Sequence, residues 1–131
     1  MAVRGTVSPM FTKTALATAA FGWLTVGGLV HFVVDVAAQA LRGAREAGYG
    51  TTQYWGLHTA YALGQVAVGL LGLLVARHAS GLLGAWPFLL TAGLATAGWT
   101  AIILLFSEYK QPLFWLVGFA VLLAATVAAP R

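Results

Sequence analysis

The chain has 131 residues, of which 60% are hydrophobic and 8% charged, with a formal net charge of +4. This composition leaves too little polar surface to cover a water-soluble domain, and it is typical of an integral membrane protein. The seven basic residues sit at the ends of apolar segments, so the positive charge indicates membrane topology and excludes a nucleic-acid partner. The absence of cysteine excludes disulfide bonds, thiolate metal sites and a cysteine nucleophile.

Four apolar segments follow one another along the chain, separated by short turns rich in glycine, serine, proline or charged residues. Each is long enough for a helix that crosses a hydrocarbon core of about 30 Å. The sequence therefore predicts an all-α fold, an integral membrane four-helix bundle with up-down-up-down topology, in one transmembrane domain over residues 1–131. The predicted helices cover about 14–41, 53–76, 86–106 and 112–128. The first run exceeds the roughly 7–15 residues of a signal-peptide core, so we expect it to stay in the protein.

The basic residues lie at segment ends, where they orient a membrane protein. Those on the side of the termini are Arg4, Lys13, Arg77 and Arg131, and those on the opposite side are Arg42, Arg45 and Lys110. Because basic residues favour the cytoplasmic side, this small excess predicts both termini in the cytoplasm. A bacterial-type inner membrane is the expected location.

Polar side chains inside the apolar runs concentrate between residues 31 and 65, on the two helices that flank the first turn. At helical spacing they form two faces, His31, Asp35 and Gln39 on the first helix and Tyr54, His58, Tyr61 and Gln65 on the second. In an antiparallel hairpin about the turn at 41–52, Asp35 comes level with His58. By the same count, His31 comes level with Tyr61. The sequence therefore predicts a polar pocket between these two helices.

Asp35 is the one acidic residue inside an apolar run. A charged aspartate at a helix centre costs about 2.5–3.5 kcal/mol on insertion scales, so we expect it to have a partner. His31 stands four residues earlier, the spacing at which a carboxylate fixes the tautomer of an imidazole. The alternative is an ion pair with His31 or Arg42 that only holds helices together. Since ionisable residues inside a membrane mark functional sites, we interpret His31 and Asp35 as catalytic.

His58 has two functional interpretations, a general acid or base that faces Asp35 and an axial ligand of a heme. An interfacial histidine without a chemical role is the third. Tyr61 and Gln65 lie deeper on the same helix face and are candidates for orienting a substrate. Trp99 reaches a similar depth on the third helix, where we expect its indole to form one wall of the site for an apolar substrate.

Two segments, WGLHTAYAL at 55–63 and GWTAIILLFSEY at 98–109, resemble the second and third helices of the styrene oxide isomerase family. Members of that family are small four-helix membrane enzymes that use heme b to rearrange an epoxide to a carbonyl compound. The resemblance implies that His58 is the iron ligand at a subunit interface. It also implies a trimer.

A third segment, GLVHFVVD at 28–35, is similar to a helix of the sterol isomerase (emopamil-binding) family with the pattern Gly-x-x-His-x-x-x-acid. This second resemblance implies that His31 and Asp35 are a proton-transfer pair. Acid–base chemistry of this kind requires no cofactor. The expected cofactor is therefore either heme b or none, and both families are isomerases.

We therefore expect an intramembrane isomerase that rearranges a small apolar or terpenoid-like epoxide or alkene taken from the lipid bilayer. Two mechanisms stay open, acid–base chemistry by His31, Asp35 and His58, and Lewis-acid chemistry by a ferric heme on His58. The non-enzyme alternative is a small proton- or cation-coupled transporter or assembly subunit with Asp35 as the ion site.

Small residues along the helices predict a homo-oligomer, because helices in lipid associate by close packing rather than by a hydrophobic effect. The residues expected to form flat outer surfaces are Gly64, Gly72, Gly93, Ala60 and Ala97. Packing predicts association, whereas the number of three subunits comes from the resemblance alone.

Overall fold

The computed structural model describes residues 9–129, and throughout that part the protein is helical, without β-strands. The all-α prediction is confirmed. The helices are α1 (Pro9–His31), α2 (Ala38–Leu41), α3 (Tyr49–His78), α4 (Trp86–Phe106) and α5 (Pro112–Ala128). A π-helical segment, Phe32–Ala37, joins α1 to α2 without a break, and a short 3₁₀ turn, Ser80–Gly84, stands between α3 and α4.

Three helices of the described part are long and apolar enough to cross a membrane, Thr12–Leu41, Tyr49–His78 and Trp86–Phe106. The fourth, α5, has 17 residues and is apolar but shorter. At 1.5 Å per residue it extends about 25 Å, somewhat less than the hydrocarbon core of a typical bilayer. These lengths are consistent with an integral membrane protein.

Helix α1 lies at the centre of the bundle, antiparallel to both α3 and α5. At the end of the bundle that carries the turn between α2 and α3, His31 contacts His58 of α3. Toward the opposite end of the bundle, Phe21 packs on Gly72. On the other flank, the Trp23 indole nitrogen donates to the Trp115 carbonyl of α5 at 2.9 Å. The central position of α1 explains why His31, its last residue, is buried.

The core is apolar and centred on Phe21, which is 1% exposed. Its ring makes edge contacts with Phe88 of α4 and Phe119 of α5, at centroid distances of 5.5 and 5.4 Å. Edge-to-face aromatic pairs of this kind contribute roughly 0.5–1.5 kcal/mol beyond the area they bury. One side chain of α1 therefore contacts all three neighbouring helices.

The small residues divide between inner and outer faces of the bundle. Gly72 is buried against Phe21 and Gly64 contacts Trp99, so neither leaves the flat outer surface predicted for an oligomer. The prediction is wrong for these two because partners within the same chain fill the space. Gly93, Ala60 and Ala97 are exposed on the outside of the bundle.

The close contact of α1 with α3 gives a stability prediction at Gly69. A methyl group there would lie 2.9 Å from the Thr25 backbone nitrogen and 3.0 Å from the Phe21 carbonyl oxygen. Because backbone atoms cannot rotate away, we expect Gly69→Ala to lower the free energy of unfolding by about 1–3 kcal/mol. Thermal unfolding in detergent micelles, followed by circular dichroism, measures the change.

The matched control is Gly93→Ala on α4, where an added methyl group would meet nothing within 4 Å. Alanine is the better helix former by up to about 1 kcal/mol, so this variant should be as stable as the wild type or more so. Equal stability losses at the two positions would contradict the packing of α1 on α3.

Candidate functional site

Three buried ionisable side chains form a hydrogen-bonded row between α1 and α3. The Asp35 Oδ2 atom lies 2.9 Å from His31 Nδ1, and His31 Nε2 lies 3.0 Å from His58 Nδ1. Asp35 is 7% exposed, His31 6% and His58 4%. At these distances each neighbouring pair can share a proton, and we call the three side chains the relay.

The relay depends on the π-helical segment, which sequence periodicity did not predict. Asp35 lies inside this segment and points into the bundle, whereas Val33 and Val34 beside it are 57% and 51% exposed. A π turn is rare, and it occurs mostly where a helix carries a functional site. The backbone distortion is therefore located at the residue that the sequence marked as the most costly to bury.

The structure corrects the predicted pairing of Asp35 with His58, because His31 lies between these two side chains. Its ring contacts Tyr61 at a centroid distance of 4.7 Å, and it also stacks on His58 at 5.1 Å. Asp35 consequently reaches His58 through His31 and not by direct contact. The hairpin count predicted Asp35 level with His58 and His31 level with Tyr61, whereas in the structure His31 contacts both Asp35 and His58.

Aromatic rings enclose the two imidazoles. Tyr54 lies 4.1 Å from His58 between ring centroids, and its hydroxyl accepts a hydrogen bond of 3.2 Å from Gln39. Tyr109, from the turn between α4 and α5, lies nearly parallel to His58 at 6.3 Å. These rings limit access of water to the relay and restrict the rotation of the imidazoles.

Tyr109 belongs to the site, although the sequence did not predict it as a site residue. Burial, and secondarily the neighbouring Asp35 carboxylate, raises the pKa of Tyr109 above its ordinary value. The phenol therefore keeps its proton at neutral pH and can act as a donor. Its hydroxyl oxygen is buried beside the Asp35 carboxylate and forms no hydrogen bond of ordinary geometry in the part of the chain that the structure describes.

A salt bridge joins the two turns at this end of the bundle. The Arg45 guanidinium lies 2.8 Å from the Glu108 carboxylate, and its carbon is 3.5 Å from the centroid of the Tyr54 ring. Glu108 is exposed, and its neighbour in sequence, Lys110, does not pair with it. Lys110 instead donates to the carbonyl oxygens of Ile103 and Ser107 at the end of α4.

Two cavities adjoin the relay, one at each end. The first, which we call the Asp35 pocket, has a volume of about 390 Å³ and is lined by Asp35, Tyr109, His31 and Gln111 together with apolar side chains. The second, the His58 cleft, has about 680 Å³ and is lined by His58, Arg45 and Glu108 among others. A void of about 10 Å³ between His31, His58 and Tyr61 is close to the volume that one water molecule needs.

Of the three predicted substrate residues, Tyr61 lines the small void, but Gln65 and Trp99 line none of the three cavities. Gln65 is 1% exposed, and its amide nitrogen has no partner among residues 9–129. The Trp99 indole packs against Gly64. Their roles in binding a substrate stay predictions.

Comparisons of the chain with protein-family models, curated proteins and solved structures found no match. The two family resemblances therefore stay predictions.

The heme that the first resemblance implies stays a prediction. His58 Nδ1 contacts His31 Nε2 at 3.0 Å, and the same imidazole lines the His58 cleft of about 680 Å³. His58 would be the residue that holds the iron, which would supply a Lewis acid there. Across the described residues, no group of three or more His, Asp or Glu side chains is arranged to hold a metal ion. We derive no step through a heme.

Proposed function

We propose that this protein is an intramembrane isomerase that uses Asp35, His31 and His58 for acid–base chemistry on a small apolar substrate. The observation that carries the proposal is the unbroken row of contacts of 2.9 and 3.0 Å from a buried carboxylate through two imidazoles. General acid–base catalysis requires donors and acceptors at such distances. The cavities at the two ends give the row access to a substrate and to an exchanging proton.

The hydrogen bonds define how a proton moves along the relay. With both imidazoles neutral, His31 Nδ1–H donates to Asp35, and His58 Nδ1–H donates to His31 Nε2. A proton taken up at His58 Nε2 allows each bridging proton to move one step. The carboxyl group of Asp35 is then protonated, and both imidazoles are again neutral in their other tautomers. The relay therefore delivers one proton to Asp35 without leaving a charge on a histidine.

The reaction class follows from an acid that can also take its proton back. Protonated Asp35 donates to an epoxide oxygen as one C–O bond breaks, and a hydride moves to the carbon that loses the oxygen. The resulting hydroxyl group returns its proton to Asp35 as the carbonyl forms. For an alkene, one carbon takes the proton and another loses one. Both reactions are isomerisations that consume no other reagent.

The position of the relay favours an enzyme over a transporter. A proton- or cation-coupled transporter needs polar groups along a path across the membrane. Beyond the relay, the buried polar side chains in the described part of the chain are Gln65 and Thr126, and Thr126 donates to its own helix at Leu122. The rest of the core is apolar, around Phe21. These observations support local proton transfer at one end of the bundle.

The membrane arrangement is part of the proposal. All four long helices cross the bilayer, α5 at the lower limit of spanning length, and neighbouring helices run in opposite directions. Both termini face the cytoplasm of a bacterial-type inner membrane, in accordance with the distribution of basic residues. The protein forms a homo-oligomer through exposed small residues such as Gly93 and Ala97, and a trimer is the number that the resemblance implies.

An activity screen tests the proposed function. Purified protein in lipid nanodiscs is incubated with styrene oxide, a monoterpene epoxide and a terpenoid alkene, and products of unchanged mass are separated by gas chromatography with mass spectrometry. We expect an isomer to form from at least one substrate above the rate in empty nanodiscs. Failure with every substrate, together with proton flux into proteoliposomes that depends on Asp35, would instead establish the transporter.

A further inference from the structure

We infer that the Asp35 pocket is the substrate subsite, that it takes from the lipid an apolar molecule with one hydrogen-bond-accepting oxygen, and that Tyr109 binds this oxygen. The inference rests on the proposed function. It adds the place of the substrate, the side from which it arrives and a residue outside the relay. The His58 cleft then serves the exchange of protons with water.

The composition of the Asp35 pocket fits such a ligand. Small-molecule sites have mostly apolar walls and a few polar groups that fix orientation, with volumes of about 300–1,000 Å³. The Asp35 pocket, of about 390 Å³, has apolar walls from Val30, Val34 and Trp115. The polar groups in its lining are those of His31, Asp35, Tyr109 and Gln111. An apolar body on these walls would present its polar atom to the carboxyl group.

The Tyr109 hydroxyl lies beside the Asp35 carboxylate in the lining of this pocket. Its oxygen is buried and forms no hydrogen bond of ordinary geometry among the described residues. Native proteins satisfy almost all buried hydroxyl groups, so an acceptor of better geometry would stabilise the phenol. An oxygen atom of the ligand, placed between Tyr109 and Asp35, would satisfy the phenol and meet the acid of the relay.

The two cavities differ in the surroundings from which a ligand can arrive. Val30 and Val34 are 39% and 51% exposed, and both belong to the apolar span Thr12–Leu41. The apolar side of the Asp35 pocket therefore faces hydrocarbon, and its other side lies at the turn that carries Tyr109 and Gln111. The His58 cleft is lined in part by the charged pair Arg45 and Glu108, in turns outside the spans, and in part by Leu57 and Phe106 within the spans. Lipid supplies the substrate at one end of the relay, and water exchanges protons at the other.

Photolabelling tests the subsite without requiring turnover. The probe is a diazirine-bearing aliphatic ketone, irradiated with the wild-type protein in nanodiscs, and the modified residues are mapped by peptide mass spectrometry. We expect the label on residues of the Asp35 pocket, such as Val34 and Trp115. Label concentrated on Leu57 and Phe106 of the His58 cleft, or spread evenly over lipid-facing residues, overturns the inference.

Two neighbouring valines give a matched pair of variants. Val34→Trp places a large ring at the mouth of the pocket, and we expect it to reduce labelling of the pocket about tenfold or more. Val33→Trp makes the same change one residue earlier, at a side chain that is as exposed but does not line the pocket. Photolabelling of the pocket in this variant should equal that in the wild type. Equal labelling of the two variants contradicts access from the lipid at this point.

Tyr109→Phe tests the oxygen contact itself. Loss of one neutral hydrogen bond should weaken binding of the ketone probe about fivefold, measured as the concentration that gives half-maximal labelling. A diazirine-bearing alkane of the same length is the control, and its labelling should not change. Unchanged ketone binding refutes the role of Tyr109. A protein that is labelled in the pocket but isomerises nothing contradicts the proposed function and leaves the subsite standing.

Discussion

Asp35→Asn is expected to lower the rate constant of isomerisation by about 10²–10⁴-fold, the usual contribution of a general acid or base. Asparagine has the shape of aspartate and can still accept a hydrogen bond from His31 Nδ1 at the observed 2.9 Å. It cannot accept a proton, so the relay ends at His31. Initial rates in nanodiscs measure the effect, and circular dichroism establishes that the helices remain.

Glu46→Gln is the control for this substitution, since it also converts a carboxylate to an amide. Glu46 lies exposed in the turn before α3, outside the relay. We expect its rate constant to stay close to that of the wild type. An Asp35→Asn enzyme whose activity stays within a few-fold of the wild type would show that the buried carboxylate has only a structural role.

His58→Ala is expected to reduce turnover by at least about 100-fold, because it removes the group that connects the relay to the His58 cleft. His31 Nε2 then loses its partner at 3.0 Å, and Asp35 cannot be reprotonated through the imidazoles. His78→Ala is the matched control. His78 ends the same helix but is exposed at its opposite end, so the same substitution there should leave turnover unchanged.

A second variant separates chemistry from packing at this position. Alanine leaves a cavity in a buried site, whereas His58→Gln retains a side chain that fills much of the space and forms hydrogen bonds but transfers no proton. We expect both variants to be inactive and His58→Gln to be folded. A folded His58→Gln protein with full activity would remove His58 from the mechanism.

Much of the helical architecture could be predicted because apolar length and turn composition are local properties. The four apolar runs became helices, and the helix that carries Asp35 ends at Leu41 as expected. The spacing of His31 and Asp35 likewise predicted their contact, since four residues make about one helical turn. The contact between His31 and His58 was not predicted. A hairpin count gives depth in the bundle, but it does not give the rotation of each helix or the π-helical segment.

The direction in which each glycine faces could not be predicted either. In a water-soluble bundle, the polar face of a helix reveals which side is buried. In lipid both the core face and the outer face are apolar, so the pattern carries little information. Gly72 faces Phe21 and Gly93 faces outward, although both stand in similar apolar sequence.

Tyr109 and the pair of Arg45 and Glu108 were missed because they lie in turns. Helical periodicity does not extend through a turn, and the path of the backbone there depends on contacts between distant segments. Arg45 and Glu108 are 63 residues apart in the sequence. Glu108 has the basic residue Lys110 two positions away, whereas the fold pairs it with Arg45 from the other turn.

The most direct test of the central claim, that Asp35 and His58 act as two ends of one relay, is the rate constant of the double variant Asp35→Asn/His58→Ala. Groups that work as a unit are strongly non-additive, because removing either one already stops the shared step. The relay predicts that the double variant retains the same residual rate as the slower single variant. Losses that multiply, so that the double variant is slower by the product of the two single effects, would contradict it.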